Sequence, residues 1–300
     1  MITATPLREL ELRGQTRPGR PAHLSAASGL VLAGAFIYVV ADDEMHLGIF
    51  DTETGKPGRL LRLFEGTLPA QRGARKKRKP DFEALCRLPP DAVHPFGALL
   101  ALGSGSTASR CRGAVIGLDG NGAVAGPPRT IDAAPVLHAL QNVLAVVNIE
   151  GAVVVGRELV LFNRGNGKTP ENAVVQFDLD DFLNPAGQKP APRVRRVDLG
   201  GHEGVPFCFT DAVALPNGDI VFTTVAEDTG DAYEDGPCVA AAVGVLDPSF
   251  AVKRLEELDR PYKVEGIAVA GGNRTLDLLL VTDADDPRQP SLLLSASLHR

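Results

Sequence analysis

The sequence predicts an all-β protein that folds as a five-bladed β-propeller of four-stranded antiparallel blades. Apolar segments recur in five similar units, Gly- or Pro-containing turns separate the apolar runs inside each unit, and helical periodicity is almost absent. A six-bladed propeller, with two blades merged in one unit, is the alternative, whereas a β-sandwich is disfavoured because the repeat is too regular. Since propellers of this length often fold as one unit, we expect residues 1–300 to form a single domain.

The repeat units begin at similar positions in five parts of the chain. Their starts differ by 55, 67, 61 and 54 residues, and the longest step is where a sixth blade would be hidden. Each unit reads as an apolar strand, a turn, a stronger apolar strand, a polar loop and a third strand. The units start at Ser28, Glu83, Glu150, Asp211 and Glu265, within blades that begin near residues 25, 80, 147, 208 and 262.

A fourth strand is predicted after four of the units, in the segments RLLRLFEG, PRTIDAA, RVRRVDLGG and AVKRLEELD. The fifth unit ends after three strands, while the N-terminal segment LRELELRG (residues 7–14) has no partner. Pairing the two would close the ring and remove an exposed sheet edge. The only helical candidate is PVLHALQNV.

Composition and charge exclude several classes of protein. A net charge of −6 gives no general attraction to nucleic acid or anionic lipid, and the basic segment RGARKKRKP, which lacks interleaved aromatic residues, is expected to be a solvated loop. The four cysteines have no CxxC spacing, so buried thiols are expected rather than a zinc site or a disulfide scaffold. Without a signal-peptide core or a long apolar run, the chain is expected to be soluble and cytoplasmic, with no membrane or nucleic-acid partner. The oligomeric state stays open.

Carboxylates recur where the first strand of each unit begins. In a propeller that strand lines the central channel, and the loop before it shares a face with the loop between strands two and three. Like charges this close cannot all ionise without a cation, and oxygen ligands favour Ca²⁺ over Mg²⁺. The predicted metal ligands are Glu83, Glu150, Asp211, Glu265, Asp81, Asn148 and Asn163.

Two alternatives to a metal remain open for these acids. Lys79 and Lys263 lie close in sequence to Glu83 and Glu265, so salt bridges could hold the channel mouth together. The acids could instead accept hydrogen bonds from backbone N–H groups of a neighbouring blade.

Further residues on the same face are candidates for binding an anionic ligand. The segment GNGKT resembles the end of a phosphate-binding P-loop, but Pro170 and a strand follow it where a P-loop needs a helix. Backbone N–H groups and basic side chains of these loops can still hold an anion. The predicted ligand-binding residues are Arg110, Arg164, Lys168, Lys79 and Ser104.

His202 is the candidate general base, because it precedes a first strand and imidazole titrates near neutral pH. A Ser-His-Asp hydrolase has no support, since no G-x-S-x-G motif is present.

Short motifs at these strand starts resemble those of a known group of enzymes. The segments DFEAL, NIEGA, FTDAV, KVEGI and FNRGNGKTPENAVVQFDLDDF resemble the calcium-dependent lactonase and esterase propellers of the gluconolactonase and paraoxonase type. They are more closely similar to bacterial propellers described as phytase-esterase-like. The resemblance implies calcium ligands at Glu83, Glu150, Asp211 and Glu265, although such relatives commonly have six blades and this sequence has five repeats.

The expected function is therefore a metal-dependent hydrolase of a small anionic phosphoester, ester or lactone at the channel mouth. The alternatives are a non-catalytic propeller that binds a small ligand or a protein on the same face, and a scaffold whose acids only close the channel.

Overall fold

The computed structural model, which describes residues 1–17, 19–165, 171–184, 191–229 and 236–299, is a five-bladed β-propeller. The five-bladed prediction is confirmed, and the six-bladed alternative is wrong. Each blade is an antiparallel meander whose first strand lies innermost. No helix of the described residues is long and apolar enough to cross a membrane.

The strands are numbered along the chain, and the strands of each blade follow one another from the inner to the outer edge. Blade 1 contains β2 (Ala27–Ala33), β3 (Phe36–Ala41), β4 (His46–Asp51) and β5 (Arg59–Arg62). Blade 2 contains β6 (Phe82–Leu88), β7 (Ala98–Gly103), β8 (Arg112–Gly117) and β9 (Arg129–Asp132). Blade 3 contains β10 (Ile149–Val155), β11 (Glu158–Asn163), β12 (Ala173–Asp178) and β13 (Arg193–Arg196). Blade 4 contains β15 (Val205–Ala214), β16 (Ile220–Glu227), β17 (Cys238–Leu246) and β18 (Val252–Glu257), with the short β14 (Gly201–His202) paired to the start of β15. Blade 5 contains β19 (Val264–Gly271), β20 (Thr275–Thr282), β21 (Leu292–His299) and β1 (Thr5–Glu9).

The N-terminal strand closes the ring, as the sequence predicts. Strand β1 pairs antiparallel with β21, from Thr5 opposite Ser295 to Glu9 opposite Leu292. The strand was predicted for residues 7–14, and it starts two residues earlier, at Thr5. It ends at Glu9 because the chain then crosses to blade 1, where Leu12 forms a bridge with Gly58. The N-terminal segment thus joins the last blade to the first.

Three α-helices lie in the loops of the described chain. Helix α2 (Ala134–Leu140) falls in the segment predicted to be helical. Helix α1 (Arg72–Arg78) corrects the expectation of a solvated loop for the basic segment. In helix α3 (Leu179–Leu183), the side chain of Asp178 caps the N-terminus by accepting hydrogen bonds from the N–H groups of Asp180 and Asp181.

Every inner strand carries a β-bulge at the same level, which fixes the equivalence of the five blades. Pairing shifts by one residue between Ala27 and Gly29 and at the matching place in the other four blades. The bulged residues are Ser28, Glu83, Glu150, Thr210 and Glu265. The sequence-based alignment is therefore wrong by one residue in blade 4, where Thr210 and not Asp211 is the equivalent position.

The residue after each bulge lies where adjacent blades approach each other closely. A Cβ added at Gly29 would lie 3.1 Å from the backbone N of Leu85, and one at Gly151 would lie 3.0 Å from the Cα of Asp211. This close approach explains why four of the five equivalent residues are small. They are Gly29, Ala84, Gly151, Asp211 and Gly266.

Aromatic and aliphatic side chains fill the spaces between blades. Phe209 makes edge-on contacts with Phe162 of blade 3 and Phe222 of its own blade, at centroid distances of 5.2 and 5.1 Å. All four cysteines are free thiols, and Cys238 alone is not fully buried. The prediction of unpaired, largely buried thiols is confirmed.

Candidate functional site

The channel mouth is built from the bulge residues and from the residues that follow each second strand. We call this side of the propeller the mouth face. Contacts from Ser104 to Asp81 and from Arg164 to Glu150 confirm that these two sets of loops share a face. The mouth contains two charged clusters, one in blades 1 and 2 and the other in blades 3, 4 and 5.

The first cluster is centred on Asp81, whose carboxylate is buried and fully paired. The Nζ of Lys79 lies 2.6 Å from Oδ1, while the Nη1 of Arg110 and the Oγ of Ser104 lie 2.8 and 2.6 Å from Oδ2. Lys79 also donates to Asp42, which follows the second strand of blade 1. Asp81 has a positive φ of 56°, a conformation that non-glycine residues adopt only where surrounding contacts hold them.

Glu83 is the unpaired carboxylate of this cluster. One oxygen each from Glu83, Asp42 and Asp81 lie within 4.8 Å of one another. Burial raises the pKa of Glu83 well above its ordinary value, and the neighbouring Asp81 and Glu150 raise it further, while Lys79 lowers it in part. Within the described part of the chain, the side chain of Glu83 makes no hydrogen bond or ion pair. This carboxylate is therefore available to a ligand.

The second cluster surrounds two buried cations. The Nη1 of Arg164 lies 3.5 Å from an oxygen of Glu150 and 3.6 Å from one of Glu265, and its Nη2 donates to Glu227. The Nζ of Lys263 lies 3.1 Å from the other oxygen of Glu227.

Lys263 also links this cluster to blade 5. Its Nζ lies 2.7 Å from Asp285 and 3.7 Å from Asp283. Burial raises the pKa of Glu265 well above its ordinary value, and Arg164 and Lys263 offset that effect only in part. Protein cations thus occupy the centre of this half of the mouth.

Asp211 lies one level inside the mouth and makes a different kind of contact. Its Oδ2 accepts a hydrogen bond of 2.9 Å from the backbone N–H of Ile267 in blade 5. Burial raises the pKa of Asp211 well above its ordinary value, and the N–H groups of Ile267, Ala212 and Leu30 lower it in part. The carboxylate of Asp211 thus joins blade 4 to blade 5 and lies near the backbone N–H of Leu30 in blade 1.

The other predicted residues have separate positions. The Nδ2 of Asn148 donates to Glu150 at 2.5 Å, whereas the Oδ1 of Asn163 accepts from the N–H of Asn148 at 2.8 Å and so fixes the loop. The Nδ1 of His202 lies 3.0 Å from Glu257, in the outer strand of blade 4, rather than against a mouth acid. Lys168 lies outside the described residues.

Acids that are buried or half-buried outnumber basic side chains in the described part of the mouth by seven to four. The acids are Asp42, Asp81, Glu83, Glu150, Glu227, Glu265 and Asp283, and the basic residues are Lys79, Arg110, Arg164 and Lys263. The excess of three negative charges suits a divalent cation or carboxyls that retain protons.

Among the described residues, the first cluster alone brings three carboxylate oxygens within 4.8 Å of one another, although Asp42 and Asp81 also contact Lys79. Glu150, Glu265 and Asp211 do not belong to that group, since Glu150 and Glu265 contact Arg164 and Asp211 accepts from a backbone N–H group. Asp42, Asp81 and Glu83 bring three carboxylate oxygens together, the hard donors that Ca²⁺ prefers. The calcium hypothesis stays a prediction and is narrowed to these three residues.

Three of the mouth acids were not selected from the sequence. Asp42, Glu227 and Asp283 lie at or just after the end of the second strands of blades 1, 4 and 5. The sequence contains a pattern that could have identified them. Each of the three lies in an acidic segment directly after a strongly apolar strand, in ADDEM, AEDTG and TDADD.

A cleft of about 250 Å³ opens beside the first cluster, between blades 1 and 5. Three basic residues, Arg75, Lys76 and Lys79, line it together with five acids, Asp42, Asp43, Asp283, Asp285 and Asp286. Its size and its mixed charges suit a small polar molecule.

Comparison with solved structures shows similarity to several enzymes. The chain is 12% identical to a candidate glycoside hydrolase from Parabacteroides distasonis, over 99% of this chain and 93% of that one, with a TM-score of 0.47. It is 12% identical to the α-L-arabinofuranosidase Arb93A from Fusarium graminearum, over 97% and 98% of the two chains, with a TM-score of 0.46. It is 10% identical to a gluconolactonase from Xanthomonas campestris, over 99% and 97%, with a TM-score of 0.39. Likeness at this level carries no statement about activity.

Comparison of sequences identifies the family. No curated protein matches the chain. Residues 23–298, all but the first 22 and the last two, match the family described as "Family of unknown function (DUF6929)". The chain therefore belongs to the DUF6929 family.

Proposed function

We propose that the protein is a metal-dependent hydrolase of an ester, lactone or phosphoester of a small anionic molecule, acting in the cleft beside Glu83. The observation that carries the proposal is the convergence of Glu83 with Asp42 and Asp81, in a mouth where acids outnumber bases. In a salt-bridge network that served stability alone, Glu83 would stay neutral by keeping its proton, whereas a bound cation would hold it ionised.

Asp42, Asp81 and Glu83 would hold the divalent cation. When bound, such an ion polarises the oxygen of a scissile carbonyl or phosphoryl group. Lys79 and Arg110 orient Asp81 through their contacts of 2.6 and 2.8 Å, so that its carboxylate direction is fixed before a ligand arrives. In the same cleft, Arg75 and Lys76 attract the anionic part of the substrate.

The first test is thermal unfolding after EDTA treatment, with Ca²⁺ or Mg²⁺ added back. We expect Ca²⁺ to raise the Tm of the wild type and of Glu53→Gln, a control in an exposed turn, but not that of Glu83→Gln. An equal rise in all three proteins, or no rise in the wild type, would contradict the metal site. If the rise is seen, hydrolysis of an ester, lactone and phosphoester panel is measured with the calcium-loaded protein.

The second candidate is a non-catalytic propeller that binds a small ligand or a protein through the mouth face. It is favoured by the ion pairs that Lys79, Arg164 and Lys263 already make with mouth acids. Absence of turnover across the panel, together with a ligand that raises the Tm, would support this function instead.

A further inference from the structure

The channel has a second opening, on the face opposite the mouth. There the inner strands of all five blades enclose a pocket of about 220 Å³. Every blade contributes the second, third and fourth residues after its bulge, for example Leu30 to Leu32 in blade 1. The pocket is therefore formed by the most rigid part of the fold.

One position in the rim of this pocket breaks the five-fold pattern. The fourth residue after the bulge is aliphatic in four blades and arginine in blade 2. These residues are Leu32, Arg87, Val154, Ala214 and Val269. The side chain of Arg87 is exposed and makes no hydrogen bond or ion pair with a described residue, and it is the only charged side chain among the lining residues.

The pocket ends inward at the level of Asp211. The lining starts at Ala212 and its equivalents, directly below Asp211. At that level the carboxylate of Asp211 accepts from the N–H of Ile267 in the adjacent blade, and Gly29 and Gly151 allow adjacent blades to approach closely. The pocket and the acids of the mouth therefore lie on opposite sides of the level of Asp211.

We propose that this pocket binds a small apolar carboxylate, an aliphatic or aromatic monocarboxylic acid whose anionic group pairs with Arg87. Half-buried aliphatic side chains at the outer end, Val31, Leu32 and Val154 among them, supply apolar surface that favours an apolar body, whereas the side chains of deeper lining residues such as Leu30 and Ile267 are packed in the core. The guanidinium forms paired hydrogen bonds to a carboxylate, and it has no competing acid in the described lining. Since a cavity of about 150 Å³ holds benzene, the volume here accommodates an aromatic ring with one carboxylate.

The site is independent of the proposed hydrolase function, and its test uses benzoate as the probe. Titration by isothermal calorimetry compares the full-length wild type with Arg87→Gln and with Arg129→Gln, a control on the exposed outer strand of blade 2. Loss of the charged pair should weaken benzoate binding about tenfold to a hundredfold in Arg87→Gln and leave the control unchanged. Benzyl alcohol, which has the ring without the charge, should bind the wild type as weakly as benzoate binds Arg87→Gln.

A second variant tests the pocket itself. Ala214→Leu places a larger side chain in the rim and should abolish benzoate binding, while circular dichroism and Tm confirm that the fold is retained. Glu83→Gln and added Ca²⁺ should not change benzoate affinity, which separates this site from the mouth. The proposal is overturned if benzoate does not bind the wild type, or if it binds Arg87→Gln with equal affinity.

Discussion

Replacing Arg164 with Gln should destabilise the protein more than any change to a surface ion pair. The Arg164 side chain is 6% exposed and contacts Glu150, Glu227 and Glu265, whose side chains are 5 to 7% exposed. Removal of one partner from a buried ion pair costs about 3 to 5 kcal/mol, because an uncompensated charge stays buried. The entropy of unfolding is about 2.1 cal/mol/K per residue, so for 300 residues such a loss lowers the Tm by roughly 5 to 8 °C.

The pH dependence of this loss tests the reasoning behind it. Because burial raises the pKa of Glu265, that carboxyl takes up a proton more readily than an ordinary carboxyl as the pH falls, and once protonated it no longer needs the guanidinium. Urea unfolding of the variant should therefore show a smaller loss of free energy at pH 5.5 than at pH 8. Arg157→Gln is the matched control, since the Arg157–Asp180 pair is 77% and 70% exposed and should contribute less than about 1 kcal/mol. A loss below about 1 kcal/mol for Arg164→Gln at pH 8, or the same loss at both pH values, would refute the argument.

Two further predictions concern the wild type and the ring closure. The folded-state pKa values of Glu83, Glu265 and Asp283 are raised above their ordinary values by burial, so the folded protein binds more protons than the unfolded chain. The free energy of unfolding should then fall as the pH rises above about 4.5, a trend that a rising or flat urea midpoint without added metal would contradict. Deletion of residues 1–9 removes β1 and exposes the edge of β21. We expect a lower Tm and concentration-dependent aggregation, measured by light scattering, and a monodisperse variant with unchanged Tm would show that β1 is dispensable.

The fold could be predicted from the sequence because its determinants are local and repeated. Apolar strand segments separated by turn residues recur in each blade. An N-terminal segment without a partner, together with a fifth unit of only three strands, indicated that β1 closes the ring. Helix α1 was missed because it depends on distant residues. Its N-terminus has no side-chain cap, and the backbone carbonyls of Lys76 and Lys77 accept hydrogen bonds from Arg110 and Ser109. No pattern inside the segment RGARKKR contains that information.

The site was predictable as a ring of acids, but its pairing was not. Repeat equivalence assigned Glu83, Glu150 and Glu265 to the same position in their blades, and in the structure each of them lies at the bulge of its inner strand. Arg164 donates to Glu227, 63 residues away, and such a contact appears only when the blades are assembled. The alignment of blade 4 was wrong by one residue for a similar reason, because the position of a bulge depends on strand pairing. Thr210 and Asp211 are both polar, so residue type did not distinguish them.

Departures from the five-fold pattern identify the residues that do more than form a blade. At the position after the bulge, four blades have Gly or Ala, whereas blade 4 has Asp211, whose carboxylate accepts from the N–H of Ile267 in the adjacent blade 5. At the rim of the pocket on the opposite face, four blades have aliphatic residues, whereas blade 2 has Arg87. Neither substitution is required by a strand or a turn, and a buried carboxylate carries a desolvation cost. Since Asp211 lies between the acidic mouth and the pocket around Arg87, the two proposed sites are spatially separate and would bind different molecules without competing.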